Sequence, residues 1–139
     1  MMMLHELLLS LTDAEALSAM LDGHRRAASP ESDPAEALAE LLSHARRVPD
    51  GHLPDDRVAM GSTVTYVDES SGARRTVSLA YPADADLALG RISVLSPIGR
   101  ALIGRKRGDI VDAMLPGGRI MAIRVLATQP LRQALREAA

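Results

Sequence analysis

The hydrophobic pattern of this chain changes period once, at a single cluster of turn formers. Upstream of Val48-Pro-Asp-Gly-His-Leu-Pro-Asp-Asp56 the apolar residues recur at helical spacing, and downstream they alternate. One secondary-structure element cannot satisfy both periods. The pattern therefore predicts an α+β chain: a short N-terminal antiparallel helical hairpin, then a compact antiparallel sheet with one short helix laid across it. The divisions are residues 1–48 for the hairpin, 49–56 for the linker, 57–129 for the sheet domain and 130–139 for a helix-prone tail.

In the hairpin, Thr12-Asp-Ala-Glu15 has the spacing of a capping box, with Thr12 as N-cap. Ala16, Leu17, Met20 and Leu21 follow at helical spacing, and Gly23 marks the stop or the last turn. Asp33 and Pro34 open a second helix, with proline at the first position, where a missing N–H costs nothing. Leu38, Leu41, Leu42 and Ala45 form its stripe. Arg46 and Arg47 fall in the last turn, where cations suit the helix dipole. Leu8, Leu9 and Leu11, exposed near the start, could cover the helix pair or bind a second copy, so a monomer or a weak dimer is expected.

Beyond the linker, strands are predicted over residues 58–67, 74–81, 91–95, 109–115 and 119–127. Pro116-Gly-Gly118 reads as the hairpin joining the last two. Ser96-Pro-Ile-Gly-Arg-Ala-Leu-Ile-Gly-Arg-Lys-Arg-Gly-Asp109 is the one strong helix signal inside the sheet. Ser96 caps it, Pro97 sits in the first turn, and Gly104 supplies a left-handed end.

Composition narrows what such a domain can do. Tyr66 and Tyr81 are the only aromatics in 139 residues. The core must then be aliphatic, and a base-stacking platform for single strands is excluded. No cysteine means no disulfide, thiolate nucleophile or zinc–thiolate site. Apolar runs fall short of the roughly 18–20 residues that span a bilayer. The start lacks a basic region and a small-residue cleavage site, so no signal peptide and a cytoplasmic location are expected. Charge divides along the chain. Residues 1–50 hold nine acids against four arginines, and residues 57–139 hold twelve basic groups against seven acids.

Four separated blocks carry a family resemblance: Gly61-Ser-Thr-Val-Thr-Tyr-Val67, Gly90-Arg-Ile-Ser-Val94, the Ser96–Asp109 stretch and Leu115-Pro-Gly-Gly118. Over residues 56–128 the chain resembles the C-terminal domain of the Gre transcript-cleavage factors. The resemblance implies an FKBP-like sheet that binds the rim of the RNA polymerase secondary channel. Gre factors carry a long N-terminal coiled coil. Here the hairpin is short, and Leu11-Thr-Asp-Ala-Glu-Ala-Leu17 with the Pro-Asp linker is similar to Rnk, the family named for regulation of nucleoside diphosphate kinase.

Three functions for the Ser96–Asp109 stretch can be compared. As a phosphate loop it is poor, because its lysine follows the helix, near the end where the dipole repels anions. As an isomerase site it lacks the aromatic-lined pocket that would pack a substrate proline. No Ser-His-Asp grouping or metal-ligand spacing is legible, so no catalysis, cofactor or metal is expected. As a docking surface it offers Arg100, Arg105, Lys106 and Arg107, while Ala101, Leu102 and Ile103 belong to the core. A basic run after a helix also serves as a solvated face, and both uses remain open.

In Gre factors, acids at the coiled-coil tip hold a magnesium ion. The corresponding loop here offers Asp22, Glu31 and Asp33, with Arg25 and Arg26 among them opposing a divalent cation. Arms of about 14 residues span roughly 21 Å, too short to thread a deep channel. The expected function is a non-enzymatic regulator that binds RNA polymerase and competes with Gre-type factors without stimulating cleavage. The alternative is regulation of nucleoside diphosphate kinase through another protein partner, outside transcription. Direct sequence-specific DNA binding is not expected, since no recognition helix and only one lysine are present, although the term attaches to Gre factors by association.

Overall fold

A computed structural model describes residues 6–25 and 34–131, with the side chains of His24 and Arg25 outside that description. The chain forms β1 (Leu8–Ser10), α1 (Leu11–Arg25), α2 (Pro34–Ser43) and β2 (Arg46–Val48). Then follow β3 (Thr63–Asp68), β4 (Arg74–Ala80), β5 (Arg91–Ser93), α3 (Pro97–Leu102), β6 (Ile110–Met114) and β7 (Ile120–Gln129).

The helical hairpin is present, but its ends differ from the sequence reading. α1 starts at Leu11, and the Ser10 hydroxyl accepts from the Asp13 N–H at 3.2 Å. Thr12 lies inside the helix. Its N–H donates to Asp50 Oδ1 at 3.1 Å and its hydroxyl donates to Asp50 Oδ2. A carboxylate delivered by the linker turn thus takes the Thr12 N–H that Glu15 would accept in a local capping box. Gly23 lies in the last turn of α1, the second of the two roles its position allowed, and the helix continues to Arg25. α2 begins at Pro34 as expected; its proposed cap, Asp33, lies outside the described residues.

Arg46 and Arg47 are not in a last helical turn. After α2 ends at Ser43 the chain extends, and Arg46 N–H donates to the Leu7 carbonyl at 2.8 Å. Residues 46–48 pair in parallel with residues 8–10, from Leu8↔Arg46 to Ser10↔Val48. This two-stranded clamp closes the base of the hairpin. It also accounts for the early leucines: Leu9 is buried, Leu8 is half-buried, and Leu11 is exposed.

The second sheet curls through the order β5-β4-β3-β7-β6. Four of its strands are antiparallel, and β6 and β7 join as the expected hairpin, closed by Leu115 N–H on the Arg119 carbonyl at 2.7 Å. β5 departs from the prediction by pairing parallel to β4. Residues 81–90 make two short 3₁₀ turns, Pro82–Asp84 and Leu87–Leu89, and bring the chain back to the same end of the sheet. β3 is shorter than its alternation suggested, because Gly61 adopts a φ of 82° and turns the chain just before it. Val64 and Tyr66 of β3, Leu79 of β4, and Ile123 and Val125 of β7 are buried on the inner face. Leu17 and Leu38 of the hairpin join the same core. Each buried aliphatic side chain contributes about 1.5–3 kcal/mol.

Hydrogen bonds on two sides hold the hairpin base to the sheet. Arg57 Nη1 donates to the Glu6 carbonyl at 2.6 Å and to the Gly104 carbonyl at 3.2 Å, and Leu8 N–H donates to Gly104 at 3.1 Å. On the other side, Asp13 Oδ2 accepts from Met60 N–H at 3.0 Å. Among the described residues no helix is long and apolar enough to cross a membrane.

Candidate functional site

The Ser96–Asp109 stretch builds a short helix and a tight turn. Ser96 Oγ accepts from Gly99 N–H at 3.1 Å, as its position before Pro97 predicts. Gly99 lies so close to β5 that a Cβ there would stand 2.1 Å from the Ser93 carbonyl oxygen. Gly104, with a φ of 75°, ends the helix and lets Leu7 pack against it. The glycine spacing thus serves close approach and a left-handed turn.

A phosphate loop would need free N–H groups, and this turn has none. The amides of Gly104 and Arg107 donate to the carbonyls of Val58 and Asp56 at 2.9 and 2.8 Å, and those of Arg105 and Gly108 donate to Leu102 and Val125 at 3.1 and 2.7 Å. Lys106 N–H donates to Asp109 Oδ2 at 2.9 Å, and Asp109 N–H returns to the Lys106 carbonyl at 3.0 Å. Every backbone N–H from Gly104 to Asp109 is taken. The buried Asp109 carboxylate works as a brace for the basic turn.

The four cations proposed for docking divide into two pairs. Lys106 and Arg107 are exposed. Arg100 and Arg105 are half-buried, and burial lowers the pKa of both guanidinium groups, with the Asp109 carboxylate opposing this at Arg105. Arg100 Nη1 donates to the Leu95 carbonyl, while the buried Arg105 Nε has no hydrogen-bond acceptor. Both line a groove of about 360 Å³ between α2, α3 and β6.

Sequence reasoning missed a larger feature on the opposite side of α3. Tyr66, Val77, Ile92, Ile98, Leu115 and Met121 line an open cleft of about 910 Å³ on the inner side of the curled sheet. Burial raises the pKa of the Tyr66 phenol, partly offset by Arg75. Leu87, 83% exposed, stands on the rim. The signal was the shared facing of Tyr66 with Val64 and of Arg75 with Val77 across β3 and β4. Closing the cleft required the parallel β5 and the placement of α3, which periodicity does not report. Tyr66 is the one aromatic in its wall. Tyr81 lines a separate groove near Asp13, so the two tyrosines do not combine into one pocket.

At the far end of the hairpin, Asp22 is exposed. Arg26, Glu31, Asp33 and the Arg25 side chain lie outside the described residues. His44 is exposed and meets Glu40 at 3.1 Å, and His52 is exposed. Among the described residues no three His, Asp or Glu side chains gather as a metal site.

Comparison with known proteins agrees with this geometry. Residues 53–130 match the family model described as "Transcription elongation factor, GreA/GreB, C-term". The transcription elongation factor GreA of Rhodospirillum rubrum is 43% identical over 81 residues, covering 58% of this chain and 52% of that protein. GreA of Mesorhizobium japonicum is 40% identical over the same shares of the two chains. The chain therefore spans about half the length of the curated relatives it matches. A solved GreA/GreB transcription elongation factor from Nitrosomonas europaea superposes with a TM-score of 0.68 at 32% identity, covering 89% of this chain and 98% of that one. The matched segment contains β3 to β7, the α3 motif and the braced basic turn, and the chain belongs to the GreA/GreB transcription elongation factor family through this C-terminal domain.

Proposed function

We propose that the chain docks on RNA polymerase near the secondary channel, through an FKBP-like sheet domain, and competes there with Gre-type factors without stimulating transcript cleavage. In this reading it is a non-enzymatic, Rnk-type member of the family. Family membership supports the partner. The observation that carries the absence of cleavage is the closed hairpin base. Because β1 and β2 pair in parallel at residues 8–10 and 46–48, the arms are fixed at their base, where α1 starts at Leu11 and α2 ends at Ser43. Their 15 and 10 residues span about 22 and 15 Å. An acid at the tip would stay far from a reacting phosphate deep in the channel while the sheet holds its rim. The Tyr66 cleft, with Leu87 on its rim, and the exposed Lys106 and Arg107 are the contact surfaces in this reading.

The test is a transcript-cleavage assay on stalled elongation complexes, with the protein alone and then titrated against a fixed amount of GreA. The reading expects no cleavage by the protein alone and suppression of GreA-stimulated cleavage. Suppression should weaken in Leu87→Glu, and separately in the double variant Lys106→Ala, Arg107→Ala. Cleavage by the protein alone would overturn the length argument and direct attention to Asp22. Neither cleavage nor suppression would mean that the sheet domain has changed its partner.

A further inference from the structure

We propose that the groove beside Asp13 is the docking site of the chain's own C-terminal segment, residues 132–139, which packs there as a short helix and braces the hairpin against the sheet. The groove, of about 620 Å³, lies between the first turn of α1, the loop before β3 and the end of β4. Met60, Leu79, Ala80 and Tyr81 give it apolar walls, and Asp13, Asp84 and Arg91 are its charges.

Three observations name the occupant. The first is where the chain leaves the sheet. Leu131 lines the groove and its backbone is already helical. It packs on Gly61 so closely that a Cβ there would stand 3.1 Å from Leu131 Cβ and Cδ2, yet Leu131 remains 51% exposed. The second is the pattern that follows. Leu131, Ala134, Leu135 and Ala138 recur at the spacing of one apolar helix stripe. Residues 132–139 would add only about 12 Å of helix, and so short a helix is marginal in water unless its stripe is covered. The groove already holds the first residue of that stripe. The third is charge. The groove carries two acids and one arginine, while residues 132–139 carry two arginines and one acid. Neither Asp13 nor Asp84 lies within ion-pair distance of a cation among the described residues. The charge that acts on the half-buried Asp13 is the Asp50 carboxylate, which opposes its ionisation. Arg132 and Arg136, one turn apart beside the stripe, are the cations that follow the groove in sequence. A basic segment of another molecule would have to displace one already tethered at Leu131, whose effective concentration is on the order of millimolar. Docked, residues 132–139 tie the end of β7 to the first turn of α1 and fix the direction in which the hairpin leaves the sheet.

No polymerase enters the test, and its outcome is independent of the polymerase reading. Nuclear Overhauser contacts and amide exchange are measured on the full chain labelled with ¹³C and ¹⁵N. Contacts are expected from the Leu135 methyls to the Met60 methyl and the Tyr81 ring, with the Leu135 and Arg136 amides exchanging at least about tenfold more slowly than in a free peptide. Leu135→Glu keeps helix propensity and should abolish both signals. The double variant Arg132→Gln, Arg136→Gln, and separately Asp84→Lys, should each speed exchange about two- to fivefold, an effect that shrinks as salt rises. All these positions are exposed or lie outside the described residues, so the fold itself should persist. Free-peptide exchange in the parent, Leu135 contacts elsewhere on the protein, or a Leu135→Glu variant that exchanges like the parent would each overturn the proposal. Contacts seen only between differently labelled chains in a mixed sample would assign the groove to a second copy and overturn it equally.

Discussion

Gly99→Ala tests whether α3 is set by helix propensity or by its approach to β5. Propensity alone favours alanine, which is worth about 0.5–1 kcal/mol over glycine inside a helix. The structure predicts the opposite sign. A Cβ at residue 99 would lie 2.1 Å from the Ser93 carbonyl oxygen, 2.9 Å from its carbon and 3.0 Å from Ser96 Oγ. A carbon–oxygen contact settles near ~3.3 Å, so α3 must move about 1 Å from β5. The obstructing atom is backbone and cannot rotate away. Overpacking of this kind costs about 1–3 kcal/mol, and disturbing the Ser96 cap adds about 0.5–2 kcal/mol. After subtracting the propensity gain, a net loss of about 1–4 kcal/mol is expected. Urea unfolding measures it as a lower midpoint at unchanged slope. Gly23→Ala is the control: Gly23 lies in α1 with nothing within 4 Å of the added carbon, so it should gain about 0.5–1 kcal/mol. A neutral or stabilising Gly99→Ala would refute the assignment of this glycine to close packing.

Burial raises the Asp13 pKa above 3.8, against the Met60 N–H that favours its charged form. The folded state therefore retains a proton in a window just above 3.8, and this contribution to stability falls as pH rises through the window. Asp13→Asn, which keeps an acceptor for Met60, should flatten that slope in urea midpoints taken between about pH 3 and 7, whereas Asp13→Ala should cost about 1–3 kcal/mol. Asp50 and Asp68 have lowered pKa values from hydrogen bonds with Thr12 and Ser70 and act oppositely, contributing stability that is lost as pH falls below the ordinary carboxylate range. Arg57→Ala removes both carbonyl contacts and should cost about 1.5–3 kcal/mol. Hydrogen exchange should then quicken at the Leu8 and Arg46 amides, which donate to Gly104 and Leu7, and unchanged protection there would count against Arg57 holding the N-terminal segment. The double variant Lys106→Ala, Arg107→Ala should stay within about 0.5 kcal/mol of the parent. If these cations steer docking, its loss of polymerase association rate should shrink as salt rises.

The sequence by itself determined the features whose causes are local. The change of period at Val48–Asp56 separates helices from strands, Pro34 opens α2, and Ser96 caps α3. Gly104 turns left-handed, and Pro116-Gly-Gly118 joins β6 to β7. Each depends on a few neighbouring residues and their allowed backbone angles. The tertiary structure decided what depended on groups distant in the chain. Asp50, 38 residues away, took the donors of Thr12, so the apparent capping box did not form. Parallel pairing with β1 drew Arg46 and Arg47 out of α2, and β5 joined β4 in parallel. The run of cations read as one surface. Packing between α2, α3 and β6 divided it, leaving Lys106 and Arg107 in water and turning Arg100 and Arg105 into a groove. Hydrogen bonds and desolvation act between groups that meet in space, and which groups meet is set only when the chain has folded.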